Sequence, residues 1–306
     1  MTTPIVIDCD PGHDDAFAIM LALASPEVEL RAITTVAGNQ TLDKTTRNAL
    51  KVLELVDRTD IPVCAGADRP LTRELRTAAN VHGESGLDGP ELPEPTTKPV
   101  DADVTDFLSD MLEPGVVLVP TGPLTNVARL LQTHPSATDR IVWMGGAYAE
   151  GNVTPAAEFN AFVDPEAAAA VFASGIDTTM IGLDVTHGAL VTDADADDLR
   201  STGRVGRAAA ELLDFYRRWH RASYPDLDGS PLHDPVCVAH LIDPTLVETK
   251  PAHIDVDCGW EQGRGRTNVD WRGNRPNGKP ANAIAGLGID NPRFVELVKS
   301  RIASLD

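Results

Sequence analysis

The sequence predicts an open α/β fold, a mainly parallel sheet with helices on both faces. Three observations point there. Short apolar runs of strand length alternate with helix-like stretches along most of the chain. The first apolar run, Ile5–Ile7, ends in four carboxylates, Asp8, Asp10, Asp14 and Asp15, around a Pro11-Gly12 turn. Polar residues then recur where successive strand-like runs end, which is where open α/β sheets bind ligands.

Taken in order, Ile5–Ile7 is a strand and Asp14–Ala24 a helix. Leu30–Val36 is a strand, Thr41–Val56 a helix and Ile61–Cys64 a third strand. Val116–Pro120 is strand-like and Leu124–Gln132 helical. Arg140–Met144 reads as a strand, Pro165–Ala173 as an Ala-rich helix and Thr178–Asp184 as a further strand. The later part holds helical stretches at Val205–Arg221 and Asp234–Ile242, strand-like pieces at Ile254–Asp257 and Thr267–Asp270, and a last helix over Pro292–Ala303. Such an order implies right-handed crossovers between parallel strands. Two Pro- and Gly-rich segments, Asp68–Pro99 and Ser223–Pro231, break the rhythm. Long irregular loops in a compact domain are usually lids or binding loops. No internal repeat or linker divides the chain, so residues 1–306 read as one domain.

The charge balance narrows the function. The 306 residues carry a formal net charge of −20, from 46 acids against 26 bases, of which six are Lys and 20 Arg. Such a surface repels phosphate backbones and disfavours nucleic-acid partners. A neutral small substrate fits better. Excess acid with scarce Lys suits a high-salt interior, where self-repulsion is screened, and equally suits an ordinary acidic enzyme. Cys9, Cys64, Cys237 and Cys258 show no zinc-type spacing, and no signal peptide precedes the first strand. They read as reduced, structural thiols of a cytoplasmic protein. No apolar run is long enough to span a membrane.

The four carboxylates carry the chemistry. A helix cap or a turn explains one or two of them, not four. Packed together they raise one another's pKa values. A hard cation relieves that, and an all-oxygen set without Cys or His suits Ca²⁺ or Mg²⁺. Asn39, Asn126, Asn152, Glu158 and Asn160 follow other strand-like runs. Each is an ordinary turn or cap residue on its own, but together they suit the hydroxyls of one polar ligand such as a sugar. His233-Asp234 at a helix start sets a proton donor beside a metal ligand, and His82 sits in the first long loop. His134, His187, His220, His240 and His253 are assigned to structure, while His13 lies inside the acidic turn.

These residues resemble a known family. Asp-Cys-Asp-Pro-Gly-His-Asp-Asp-Ala at 8–16, Thr-Val-Ala-Gly-Asn at 35–39, Val-His-Gly-Glu-Ser-Gly-Leu at 81–87 and Thr-Gly-Pro-Leu-Thr-Asn at 121–126 look like the nucleoside hydrolases. Gly-Asn-Val-Thr-Pro at 151–155, Ala-Glu-Phe-Asn at 157–160 and Pro-Leu-His-Asp-Pro at 231–235 complete the set. The order matches the inosine–uridine-preferring type of N-ribohydrolase and spans most of the chain. The resemblance implies Ca²⁺-dependent cleavage of the N-glycosidic bond of ribonucleosides, an open α/β fold and a homodimer or homotetramer. It implies Ca²⁺ binding by the carboxylates of Asp10, Asp15 and Asp234 and the backbone carbonyl of Thr125. Asp10 would be general base for a Ca²⁺-bound water. Asp14, Asn39, Asn152, Glu158, Asn160 and Asp234 would hold the ribose. His82 and His233 would lie at the base, His233 helping to protonate it. Asp8 would support the site from behind. Tyr216, Trp219 and Tyr224 are candidates to cover the base.

Two rival readings have discriminating features. A haloacid-dehalogenase-type phosphatase also opens with Asp-x-Asp after its first strand, but here Pro-Gly-His-Asp-Asp follows. A non-catalytic Ca²⁺-stabilised nucleoside binder would retain inosine intact.

Overall fold

The computed structural model describes residues 2–259 and 262–306. Its strands are β1 (Thr3–Cys9), β2 (Val28–Thr35), β3 (Val63–Ala65), β4 (Val117–Pro120), β5 (Arg140–Met144), β6 (Asp177–Ile181), β7 (Leu190–Val191), β8 (Ser230–Pro231), β9 (Val247–Val256), β10 (Thr267–Asp270) and β11 (Ala283–Ile289). All but β7 and β8 join one nine-stranded sheet in the order β10-β9-β11-β6-β5-β4-β1-β2-β3. From β11 to β3 every pairing is parallel, and β9 and β10 add an antiparallel edge. The chain winds from β1 outward through β2 and β3, then returns to β4 on the other side of β1. That reversal opens a crevice at the C-terminal ends of β1 and β4.

The helices are α1 (His13–Ala24), α2 (Leu42–Leu55), α3 (Ala79–His82), α4 (Val104–Met111), α5 (Thr125–Thr133), α6 (Phe159–Val163), α7 (Pro165–Ala173), α8 (Leu183–Thr186), α9 (Asp193–Arg200), α10 (Arg204–Ser223), α11 (Pro235–Ile242) and α12 (Asn291–Ala303). They cover both faces of the sheet. Alternation along β1 sends Ile5, Ile7 and Cys9 into one apolar layer, with α1, α2, α10, α11 and α12. Val6 enters the opposite layer, with α4, α5 and α7. Helix α1 is buried from His13 to Ala22, and from Ala16 onward its sequence is apolar on every side. Among the described residues no helix is long and apolar enough to cross a membrane.

The predicted elements are present with shifted ends, and the structure adds several. Strand β6 stops at Ile181, and Leu183–Thr186 turns into α8 rather than extending the strand to Asp184. Strand β9 starts at Val247, seven residues before the expected Ile254. Strand β11 was not expected, because Gly286 and Gly288 weaken its strand signal. A Cβ at Gly286 would press on Val185, so that glycine lets α8 lie close to the sheet. Helix α9 buries only Ala196 and Leu199 and was missed for want of an apolar stripe. It is held by a capping box, Thr192 with Asp195, and by Lys299, whose Nζ lies 3.0 Å from Asp195. The Asp68–Pro99 segment is irregular apart from α3.

The apolar layer around α1 is closed by α12, whose Phe294 is fully buried. Phe294→Ala is expected to lower unfolding free energy by about 3–5 kcal/mol, the usual range for a buried Phe. Urea denaturation measures it, and a loss below about 1 kcal/mol would place Phe294 outside the core.

Candidate active site

Strand β1 carries Asp8 and Asp10 to the crevice, and the first turn of α1 carries Asp14 and Asp15. Asp8 accepts from Thr34 Oγ1 at 2.6 Å and Asn126 Nδ2 at 2.7 Å. Asn126 is therefore a brace under the site, not a group facing a ligand. Asp10 accepts from the Asn39 amide at 2.6 Å. Gly38 and Gly122 flank Asp10, and a Cβ on either would collide with its carboxylate. Asp15 accepts from the Gly12 amide (2.9 Å), Thr121 Oγ1 (2.7 Å) and Asn39 Nδ2 (3.2 Å). Asp14 accepts from the Tyr216 hydroxyl at 3.2 Å.

Asp234, just before α11, brings a further carboxylate from the far end of the chain. One oxygen each of Asp14, Asp15 and Asp234 lies within 4.8 Å of the others. All five acids are buried. Burial is the first cause pushing every one of them up, Asp8 to about 6 and Asp14 to about 7. Asp10 and Asp234 stand well above the carboxylate range, burial first and neighbouring carboxylates next. Among the described residues no Lys or Arg forms an ion pair with these acids or ranks among the leading influences on them, although Arg76 lines the cavity above. Asp8 Oδ2, Asp10 Oδ1 and Asp14 Oδ1 are buried without a hydrogen-bond partner. Buried carboxylate oxygens left without a donor, next to three converging carboxylates, are what a hard cation needs. Cys9 turns its thiol to the Thr34 carbonyl instead, and all four cysteines are free.

Above the acids lies a cavity of about 360 Å³, within the range of small-molecule sites. One side is polar. Glu158 caps α6, accepting from the amides of Gly146, Asn160 and Ala161 at 2.8–3.1 Å. Burial outweighs those amides and pushes Glu158 up to about 7. Asn160 donates its side-chain amide to the carbonyls of Thr121 and Met144. Asn39 also lines this side, and the exposed Asn152 stands at the rim.

The other side is aromatic. His82, at the end of α3, receives the His13 amide on Nδ1 at 3.2 Å and stacks on Tyr216, 5.6 Å between ring centres. His233 sits with Nδ1 2.7 Å from Thr186 Oγ1. Burial, then neighbouring imidazoles, holds both His82 and His233 well below the ordinary histidine value. They are neutral at pH 7, so neither stores a proton there. Tyr216, Trp219 and His220 line this wall from α10. Tyr224 packs behind them, 6.2 Å from His220.

A profile of the inosine-uridine preferring nucleoside hydrolases matches residues 5–296. The chain belongs to this family. Among similar proteins is a pyrimidine-specific ribonucleoside hydrolase, RihA, of Shewanella sp. (strain MR-7), 49% identical over 99% of this chain and 97% of its own. RihA of Escherichia coli O8 (strain IAI1) is 50% identical over 99% of each. A purine-preferring ribonucleoside hydrolase from Gardnerella vaginalis superposes with a TM-score of 0.92 at 37% identity, over 99% of this chain and 98% of its own.

In this nucleoside hydrolase the crevice gathers Asp10, Asp14, Asp15, Asn39, His82, Glu158, Asn160, His233 and Asp234. Thr125, expected to offer its backbone carbonyl, opens α5, and its hydroxyl donates to Asp164 at 2.7 Å. Thr121, just after β4, donates its hydroxyl to Asp15. Asp14, expected at the ribose, lies with Asp15 and Asp234, whereas Asp10 is outside that trio. His220, expected to be structural, lines the cavity. Its signal was its spacing: Tyr216, Trp219 and His220 fall on one face of α10.

Glu158 makes stability pH-dependent. Its folded pKa is above its ordinary value of 4.5, so the folded chain holds the proton more tightly. That contribution is full below about pH 4.5 and is lost as pH rises through about 7. In metal-free protein this one group is expected to remove about 3 kcal/mol across that window. Urea denaturation from pH 4.5 to 7.5 should show a flatter profile for Glu158→Gln. Superimposable profiles would rule out a raised Glu158.

Proposed function

We propose that the protein is a metal-dependent hydrolase of pyrimidine ribonucleosides, releasing free base and ribose. The observation carrying this is the buried carboxylate cluster without counter-charge, at the floor of a cavity that is polar on one side and aromatic on the other. The polar side suits ribose hydroxyls and the aromatic side a flat base. The approximately 50% identity to pyrimidine-specific relatives supports pyrimidine over purine substrates.

An all-oxygen donor set suits a hard cation, and the family resemblance favours Ca²⁺ as that ion. Asp10, Asp15 and Asp234 would hold it together with the Thr125 backbone carbonyl, with Asp14 shared between ion and ribose. When bound, it supplies a positive centre that orients and acidifies a water. The chain's own residues do the rest. Asp10, flanked by glycines and held by the Asn39 amide, removes a proton from the attacking water. The water oxygen bonds to C1′ of the ribose as the C1′–N bond breaks, its electron pair leaving with the base. Positive charge growing on the ribose is stabilised by the surrounding carboxylates. Asn39, Glu158 and Asn160, with Asn152 at the rim, orient the sugar. A departing uracil or cytosine spreads its negative charge onto its exocyclic carbonyl oxygens and ring nitrogens. Neutral His233, fixed by Thr186 at Nδ1, meets it as a hydrogen-bond donor through Nε2, with His82 beside it. The base then takes up a proton from water.

Asp10→Asn is expected to lower kcat about 10³-fold or more while the thermal midpoint stays within a few degrees. Ribose release from uridine measures this, and wild-type kcat in the variant would remove Asp10 from the reaction. With uridine, cytidine, inosine, adenosine and guanosine in parallel, the two pyrimidine nucleosides should lead. Faster purine release would overturn the pyrimidine reading and leave the hydrolase reading intact. His233→Ala should slow uridine about 10²-fold and an activated aryl riboside much less, because a good leaving group needs no stabilisation. Equal slowing of both would argue against a role at the leaving base.

A further inference from the structure

His220 holds a defined tautomer in the cavity wall. Its Nδ1 lies 3.1 Å from the Tyr216 carbonyl. A carbonyl only accepts, so Nδ1 carries the hydrogen, and in the neutral ring Nε2 is a bare lone pair. The ring is neutral at working pH, because burial brings it down to about 4. It is locked by packing: Tyr216 lies 4.2 Å away between ring centres, Trp219 4.9 Å and His233 6.2 Å. Nδ1 points back along α10, and Nε2 has no hydrogen-bond partner among the described residues. His220 therefore presents the cavity with a fixed acceptor.

We infer that His220 is a specificity-determining residue whose Nε2 accepts a hydrogen bond from an N–H on the outer edge of the pyrimidine base. In uracil that donor is N3–H, and in cytosine the exocyclic amino group. The inference rests on the nucleoside reading above and adds which atoms of the base are read. A buried acceptor facing an N-methylated base is left unpaired, and sites built to pair a polar group reject analogues lacking it far more strongly than apolar pockets reject a methylene.

The test is kcat/KM for uridine against 3-methyluridine in the wild-type protein, His220→Phe and His220→Gln. Phe keeps the ring's bulk and removes the lone pair. Gln reaches about as far and offers an amide oxygen. The wild type is expected to prefer uridine by about 10²-fold or more. In His220→Phe the preference should fall to within about five-fold, because uridine loses its partner, and His220→Gln should restore most of it. A preference undiminished in His220→Phe means the methyl is rejected by shape alone and overturns the inference. Equal turnover of both nucleosides by the wild type overturns it too, a result that does not need the variants to fold. Absence of ribose from uridine and every other nucleoside in the wild type is the distinct outcome that removes the nucleoside reading beneath it.

Discussion

Everything at the crevice follows from burying carboxylates that no basic side chain among the described residues pairs with. Asp10, Asp14 and Asp234 are raised by burial first and by neighbouring carboxylates next, and Asp15 is raised by burial. An isolated buried charge costs several kcal/mol, and a folded chain of marginal stability does not hold several such groups ionised together. The protein therefore has two states available at this point: protonated acids without a cation, or ionised acids around one. The orphaned oxygens of Asp8, Asp10 and Asp14 describe the first state and indicate what completes the second.

The scaffold is arranged to meet that constraint. Strand reversal between β1 and β4 opens the crevice at the end of β1, where Asp8 and Asp10 emerge. Glycines on both neighbouring strand ends leave room for Asp10, and the Asn39 amide fixes one of its oxygens. Asp8 is anchored below by Thr34 and Asn126, so the floor is rigid. Above it, neutral imidazoles and Tyr216 form a wall with little net charge. A carboxylate-lined floor and a polarisable wall at the rim suit a substrate whose sugar becomes cationic as its base becomes anionic.

Much of this was legible in the sequence. The Asp8–Asp15 segment holds both its strand end and its helix start in one contiguous stretch, so its chemistry could be read without the fold. The βα alternation gave the parallel sheet for the same local reason. What escaped depends on contacts between distant segments. Thr121 and Thr125 stand in one motif four residues apart, and only the close of β4 decides which one meets Asp15. His220 is a single histidine in a helix until α10 is seen leaning over the cavity. Strand β11, weakened by Gly286 and Gly288, exists because β6 and β9 pair with it from either side. Helix α9 has almost no apolar stripe and is held by its cap and Lys299.

Calorimetric titration of metal-stripped protein with Ca²⁺ at pH 6.5, in two buffers of different ionisation heat, tests the central claim most directly. The account predicts one ion bound per chain, with proton release, because acids raised by burial must ionise as the ion enters. Binding without proton release, or no binding by folded protein, would contradict it.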